Sequence, residues 1–401
     1  MSSVDLVASV IFGLAFGVGL AYFFDGPQRP AICFVKDAAS PFPIHPDDLA
    51  CLTDRLNLSG RDRINFDADT ICIYFPSHWN FADIELGALK KGAPQFFHHR
   101  FISACLLGHD RLACKGNLAR LCMTRPSASY FVPESWTEET WSKIKQTDGL
   151  SEDQLLIAKT NLQRQTATAI FKVRDLPEMP ALKEAQVVVI QRLLTDPLCI
   201  DRLKVTLRVY ALVFVSSSQR RVWRFTNGFV YYSSQAHKDT SLDLASQVAS
   251  GYNDREVYDT RPLTLDDLWR YIPALDAVRY TESIDKCLQQ TIGALIADQH
   301  VIEDVPKGSF QLFGCDIFLK NQDHSNSNSN RTVLGPASAL AILLEVNKAP
   351  DLTYKSQRDG QVKRSLMYHM WTLLSQPSLL NLKLSSNDDI DQSNDMWVTL
   401  L

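Results

Sequence analysis

Polar and apolar residues alternate most clearly along Lys204–Val209, where Lys204, Thr206 and Arg208 interleave with Val205, Leu207 and Val209. Residues two apart on a strand share a face, so this run predicts a strand with one packed face and one cationic face. Two further apolar runs, VVVIQ from 187 and LLIAK from 155, also predict strands. Arg221–Tyr232 reads as strand, turn at Asn227-Gly228 and second strand, since Asn-Gly between apolar runs favours a tight hairpin. Trp136–Gln165 carries a helix signal, with Ser135 or Thr137 as cap and acids following, before the LLIAK strand within it. Thr264–His300 reads as helix, Phe310–Lys320 and Leu340–Val346 as strands, and Gln361–Ser375 as helix.

The N-terminus follows a different pattern. Leu6–Phe24 is nineteen residues without a charge, the length of a transmembrane helix. A cleaved signal peptide and a buried core helix are the other readings of this run. Gly13 and Gly17 form a GxxxG, and Tyr22, Phe23 and Phe24 would lie at a membrane interface. Arg29 and Lys36 follow the run and no Lys or Arg precedes it, which puts the large domain on the cytosolic or matrix side. The mitochondrial inner membrane fits that arrangement. The expected organisation is an anchor over 1–25, a Pro-rich linker over 26–50 and an N-terminal α/β lobe over 51–150. Central and C-terminal lobes over 151–375 and a polar acidic, mobile tail over 376–401 complete it.

Composition narrows the function classes. The net charge of −4 and the absence of a Lys/Arg-rich run argue against a nucleic-acid binder. Nine cysteines with no CxxC fit a reducing compartment rather than a disulfide framework or a zinc site.

The candidate chemistry lies at strand ends. Glu345 and Asn347 close the apolar run ALAILLEVN two residues apart, and Asp316 interrupts a second apolar strand in GCDIF. Two carboxylates and an amide oxygen at adjacent strand ends suit a hard cation such as magnesium. Lys159, Lys204 and Arg208 add the cations that hold a polyphosphate.

The order of these motifs resembles the tubulin–tyrosine ligase-like family over roughly residues 72–375, most closely at 186–232 and 310–352. LLIAKT is similar to the family's strand ending in "KP", VVIQRLLTDPL to its "QxY/L…P" strand, and LKVTLRVYALV to "KFDLRVY". GCDIF and LLEVNKAP are similar to its "FD" and "EVNxxP" elements, and CKGNLARL more weakly to "RKDxLxxN". The resemblance implies an α/β, ATP-grasp-like multi-lobed domain, here behind a single transmembrane helix. It implies ATP and Mg2+ as cofactors, with Lys115, Lys159, Gln191 and Lys204 on the nucleotide and Arg208 on the transferring phosphoryl group. Asp316, Glu345 and Asn347 would hold the metal. The family reaction activates a carboxylate as an acyl phosphate, which an amine attacks.

The chain departs from the family pattern. Thr206 replaces the acid of KFDLR, and Tyr231 is the nearest match to the hairpin arginine. Gln-Thr-Ala-Thr-Ala at 165–169 replaces the glycine-rich loop, and "HLTN" survives only as SLDL at 241–244. A Cβ at every loop residue obstructs close backbone approach to phosphate. These losses, with the apolar N-terminus, predict a degenerate ligase serving as accessory subunit of a membrane complex. The alternative is an active ligase that modifies tubulin or another acidic tail.

Overall fold

The computed structural model describes residues 21–24, 32–36, 58–60, 71–75, 100–106, 108–161, 168–216, 218–250, 256–297, 308–321, 340–374, 379 and 395–401. Its largest sheet is built on the long antiparallel pair β11 (Leu203–Val215) and β12 (Arg220–Ala236). On its other edge β11 pairs antiparallel with β14 (Gly308–Leu319), and β14 pairs with β15 (Ala341–Asn347). The parallel pair β14–β5 (Arg100–Ser103) continues the sheet into the parallel strands β4 (Ile71–Phe75) and β2 (Ile32–Lys36). Beyond β2 come the short antiparallel strands β1 (Ala21–Phe24) and β3 (Leu58–Gly60). Two-residue strands, β10 (Cys199–Ile200) and β13 (Ala249–Ser250), flank β11 and β12. A second sheet holds β6 (Ser135–Thr137), β9 (Val187–Arg192), β7 (Leu155–Thr160) and β8 (Thr168–Lys172), in that order.

The longer helices are α1 (Lys115–Met123), α2 (Leu265–Tyr271), α3 (Ala274–Ile296) and α4 (Gln357–Leu374). Thr264 opens α2 with a full capping box: its hydroxyl accepts from Asp267 N while Asp267 accepts from Thr264 N. The main core joins β11, β12, β14 and β15 to α3 and α4, and includes fully buried Val205, Leu207, Val209, Ile292 and Leu366. A smaller core of Trp136, Trp141, Leu156 and Ile190 supports the second sheet. The alternation read in 204–209 is realised: the odd residues pack into the core, and Lys204, Thr206 and Arg208 face a cavity.

Several expectations need correction. Ala21–Phe24, the last four residues of the expected membrane span, form β1, and Ile32–Lys36 of the expected linker form β2. Residues 6–20 lie outside the described residues. Among the described residues no helix is long and apolar enough to cross a membrane. The helix expected from Trp136 is instead β6, a short 3-10 turn over Trp141–Gln146, and β7. Ser135 cannot serve as its cap, because it is a strand residue whose hydroxyl donates to Pro133 O. The acidic tail also ends in structure: β16 (Trp397–Thr399) pairs with Trp223–Phe225 of β12, and the Trp397 ring lies 5.2 Å from that of Phe225.

The Asn227-Gly228 turn is the most instructive miss. Β12 runs straight through it, with an irregularity between the pairs Val209–Gly228 and Ala211–Arg224. Gly228 lacks positive φ, so it is not the turn residue of a hairpin. A Cβ there would lie 2.2 Å from Arg208 O, so glycine is required by the close approach of two strands at a bulge. Asn227 caps the irregularity: its Oδ1 accepts from Gly228 N and its Nδ2 donates to Asp266.

Candidate functional site

A cavity of about 350 Å³ opens between the two sheets, within the range of small-molecule sites. Lys115, Lys159, Gln191, Lys204, Arg208, Asp316, Glu345 and Asn347 all line it. The second sheet contributes Lys159 from β7 and Gln191 from β9. The main sheet contributes Lys204 and Arg208 from β11, Asp316 from β14, and Glu345 and Asn347 from β15. Lys115 reaches in from the first residue of α1, and its ammonium lies 3.7 Å from Glu345 Oε2.

Asp316 and Glu345 are direct cross-strand neighbours, and Asn347 pairs with Gly314. The register slips just beyond them, between Asp316 and Ile317, which brings Leu344 and Glu345 together to the cavity wall. Arg208 grips Asp316 with two bonds, Nε to Oδ1 at 2.6 Å and Nη2 to Oδ2 at 3.0 Å. Glycine permits this: a Cβ on Gly314 would lie 3.2 Å from Arg208 Cδ and 3.0 Å from Pro350 Cβ. The guanidinium also lies 5.5 Å from the Tyr231 ring.

The charges shift one another in interpretable directions. Burial, opposed by Arg208 and reinforced by the neighbouring Glu345, pushes the Asp316 carboxyl up to about 6. Burial works the same way on Glu345, but Lys115 and then Lys159 outweigh it and hold that carboxyl below its ordinary value. Burial lowers Lys159 to about 8, partly offset by Glu345. It lowers Lys204 to about 8 as well, assisted by Lys159. Burial also opposes the charge on Arg208, yet Asp316 raises its pKa well above the ordinary value.

Seven cationic and four anionic side chains line the cavity, a positive site in a chain of net charge −4. Five of the seven cations are already paired, among them Arg208 with Asp316, Lys115 with Glu345 and Arg192 with Glu134. Lys363 lies 2.9 Å from Asp359 and Lys355 lies 2.7 Å from Asp351. The surplus therefore lies at Lys159 and Lys204, which have no carboxylate partner among the described residues. Lys204 donates to Gln247 O at 2.8 Å and lies over the Phe318 ring at 5.1 Å.

A magnesium–nucleotide fits this donor set. Magnesium is commonly held by one or two carboxylates together with substrate phosphates, and two carboxylates and an amide converge here. Surplus positive charge matches a polyphosphate. Among the described residues no three His, Cys, Asp or Glu side chains group to hold a metal without such a ligand.

The sequence reading did not single out Gln247, Val248, Ala249, Asp359 or Lys363, which line the cavity. The element sought at 241–244 does not reach it; Gln247–Ala249, a few residues on, does. Val187–Arg192 announced itself as an apolar run and Leu203–Val215 by its alternation, whereas Gln247 lies on a four-residue helical turn with no pattern of its own. Thr206 is buried between Tyr231 and Phe318 on the flanking strands. Residues 165–167 of the phosphate-loop comparison lie outside the described residues, and Thr168 and Ala169 begin β8.

Residues 115–379 match the model of the tubulin-tyrosine ligase family. The chain is 23% identical over 283 residues to tubulin polyglutamylase TTLL6 of Mus musculus, covering 65% of this chain and 32% of that protein. It is 22% identical over 186 residues to tubulin glycylase 3B of Drosophila melanogaster, covering 43% of this chain and 22% of that protein. It thus spans about a third or less of the length of these curated relatives. Among solved structures it is similar to the C-terminal domain from K. lactis Pby1, described as an ATP-grasp enzyme interacting with the mRNA decapping enzyme Dcp2. The TM-score is 0.57 at 15% identity, over 92% of this chain and 98% of that one. The fold is therefore ATP-grasp-like, and with its motifs, cavity and family match covering most of its length, the chain belongs to the tubulin-tyrosine ligase family.

Proposed function

We propose that the cavity binds a magnesium–nucleoside triphosphate and that the domain acts through this binding, with carboxylate–amine ligation lost. The observation that carries the first half is the meeting of unpaired cations and paired carboxylates in one cavity. Lys159 and Lys204 would neutralise phosphate charge, and Asp316, Glu345 and Asn347 would hold the metal, which when bound supplies charge neutralisation and orientation of the phosphates. Apolar Ile157, Leu193 and Val248 would cover the base.

The second half rests on what Arg208 and its strand lack. Thr206 sets no acid between the two cations of β11. Tyr231, where an arginine clamp on an acceptor carboxylate is expected, offers a phenol whose pKa burial pushes up to about 12. Lys355 and Lys363 do not substitute, since each already serves a carboxylate. A role as an accessory subunit, which needs binding but no turnover, suits that combination. The second reading is an active ligase for tubulin or another acidic tail. It is favoured by the intact Arg208–Asp316 clamp and by the tubulin-modifying activities named for the two relatives.

Melting of the full chain with Mg-ATP tests binding: a rise in Tm is expected, and Glu345→Gln should abolish it. No rise at saturating nucleotide would sink the binding reading. Incubation with Mg-ATP, amino acids and an acidic tubulin tail peptide, read by mass spectrometry, separates the two readings. Unchanged peptide is expected, and an amide-linked product overturns the loss of ligation.

A further inference from the structure

Lys204 is held in the cavity differently from the lysines around it. Lys355 and Lys363 each face a carboxylate, at 2.7 and 2.9 Å, which cancels their charge locally. The Lys204 ammonium donates instead to the main-chain oxygen of Gln247 at 2.8 Å and lies 5.1 Å from the centre of the Phe318 ring. A carbonyl and a ring face fix the direction of an ammonium without neutralising it. An ammonium has three N–H donors and Gln247 O engages one, which leaves the charge and further donors for an anion in the cavity.

That carbonyl lies 43 residues on in the chain, in the loop between β12 and β13, and it has to be kept in place. Gln247 ends the short helical turn Leu244–Gln247, which Asp243 caps by accepting from Ala245 N at 2.9 Å. The Gln247 side chain then ties the turn back to the start of its own loop. Its Nε2 donates to Lys238 O at 2.5 Å and to Ser241 O at 3.2 Å, and the residue is buried. Both hydrogens of the amide are spent on main-chain carbonyls, so the side chain has one orientation. One residue thus links the 238–241 segment, through its side chain, to the Lys204 ammonium, through its main chain. The next residues, Val248 and Ala249, line the cavity, and Ala249 pairs with Ser233 of β12.

We propose, resting on the nucleotide reading above, that Gln247 is a positioning residue: its side chain fixes the loop so that its main-chain oxygen aims the Lys204 ammonium at the phosphates. Gln247 acts through Lys204 and not by touching the nucleotide. A phosphate-binding cation is useful only when its direction is set before the ligand arrives, and this tie sets it.

The contact is read in the full chain without nucleotide, and its consequence with magnesium and nucleotide. At pH 6 Lys204, with a pKa of about 8, is charged, and an ammonium that is buried and held exchanges its hydrogens slowly enough to give a 1H–15N signal. The wild type should show that signal and Lys204→Met should lack it, which assigns it. Gln247→Met keeps the length of the side chain and removes both donors, and the Lys204 signal should broaden or vanish. In calorimetry the Kd of this variant for Mg-ATP should rise about tenfold, the effect of one misplaced hydrogen bond to a charged group. The same factor should appear with magnesium tripolyphosphate, which has no base. Tripolyphosphate that binds no worse to the variant would make Gln247 a wall of the pocket only and overturns the proposal. An unchanged Lys204 signal in folded Gln247→Met overturns it too. Where Gln247→Met does not fold, Lys204→Met decides: faster amide exchange at Val248 and Ala249 is expected, and unchanged exchange overturns the proposal. A wild type that shows the Lys204 signal but binds no Mg-ATP refutes the nucleotide reading, and with it the role given to this contact. A wild type that binds Mg-ATP as tightly as Gln247→Met does overturns the positioning role alone.

Discussion

Lys204→Met measures what the fold gives up to keep an unpaired cation in the cavity. Lys204 is 4% exposed, and among the described residues no carboxylate pairs with it. Burial, helped by Lys159, lowers its pKa from 10.5 to about 8. A drop of about 2.5 units corresponds to about 3 kcal/mol favouring the neutral amine, so at pH 7 the empty fold carries a penalty of that order. Methionine keeps the stem and removes the charge, but it strands Gln247 O, which costs about 1–2 kcal/mol. The variant should therefore be more stable than the wild type by about 1–2 kcal/mol at pH 7, and should lose the melting shift with Mg-ATP. The pH dependence gives the sharper signature. Because the folded pKa is depressed, the penalty is complete below about pH 8, where the amine is charged folded and unfolded alike. It fades as pH rises towards 10.5, so the variant's advantage should vanish by about pH 10. Guanidinium denaturation followed by tryptophan fluorescence at pH 7 and pH 10 measures both points. A variant less stable than the wild type at pH 7, or a difference identical at the two pH values, refutes the account of Lys204 as an unpaired cation.

Other expectations follow from the same geometry. Gly228→Ala forces a Cβ to 2.2 Å from Arg208 O and should cost at least about 1–3 kcal/mol; a Tm equal to that of the wild type would remove the close-approach argument. Asp359→Asn and Lys363→Met each strand a buried charge, with the pair 1% and 5% exposed, and should cost about 3–5 kcal/mol. The double variant should cost clearly less than the sum, and strict additivity would show that the pair does not interact. Because Asp316 titrates near pH 6 and a metal ligand must be deprotonated, Mg-nucleotide affinity should climb as pH rises from 5 to 7, by up to about tenfold per unit below the pKa. In the empty protein the sign is opposite. A raised carboxyl pKa stabilises the fold below about pH 4, and that contribution is lost as pH passes 6. A flat affinity profile between pH 5 and 7 would rule out Asp316 as a metal ligand.

The strands that carry the site could be read because their patterns, an alternation and an apolar run, are local. Leu203–Val215 and Val187–Arg192 form where the pattern put them, and the motif order led to the fold and to eight residues that meet in one cavity. Their roles as nucleotide and metal ligands are carried by the proposal above, since convergence alone assigns no ligand. Context overrode local signals elsewhere. Asn227-Gly228 has the chemistry of a hairpin turn, yet β11 and β14 template a continuous β12, and the glycine is needed for Arg208 O instead. The apolar run ending at Phe24 has the composition of a membrane helix, yet its last residues pair with β2 and β3.

Chain-local chemistry therefore determined which segments become strands, which side chains share a face, and which family the motifs belong to, because each depends on residues within one element. Folding decided the electrostatics and the openings for a ligand. That Arg208 is spent on Asp316, and that Lys204 has no carboxylate partner among the described residues, are outcomes of burial and of contacts between residues remote in sequence. Desolvation and pairing act through space, and no spacing along the chain encodes how much water a folded cavity excludes.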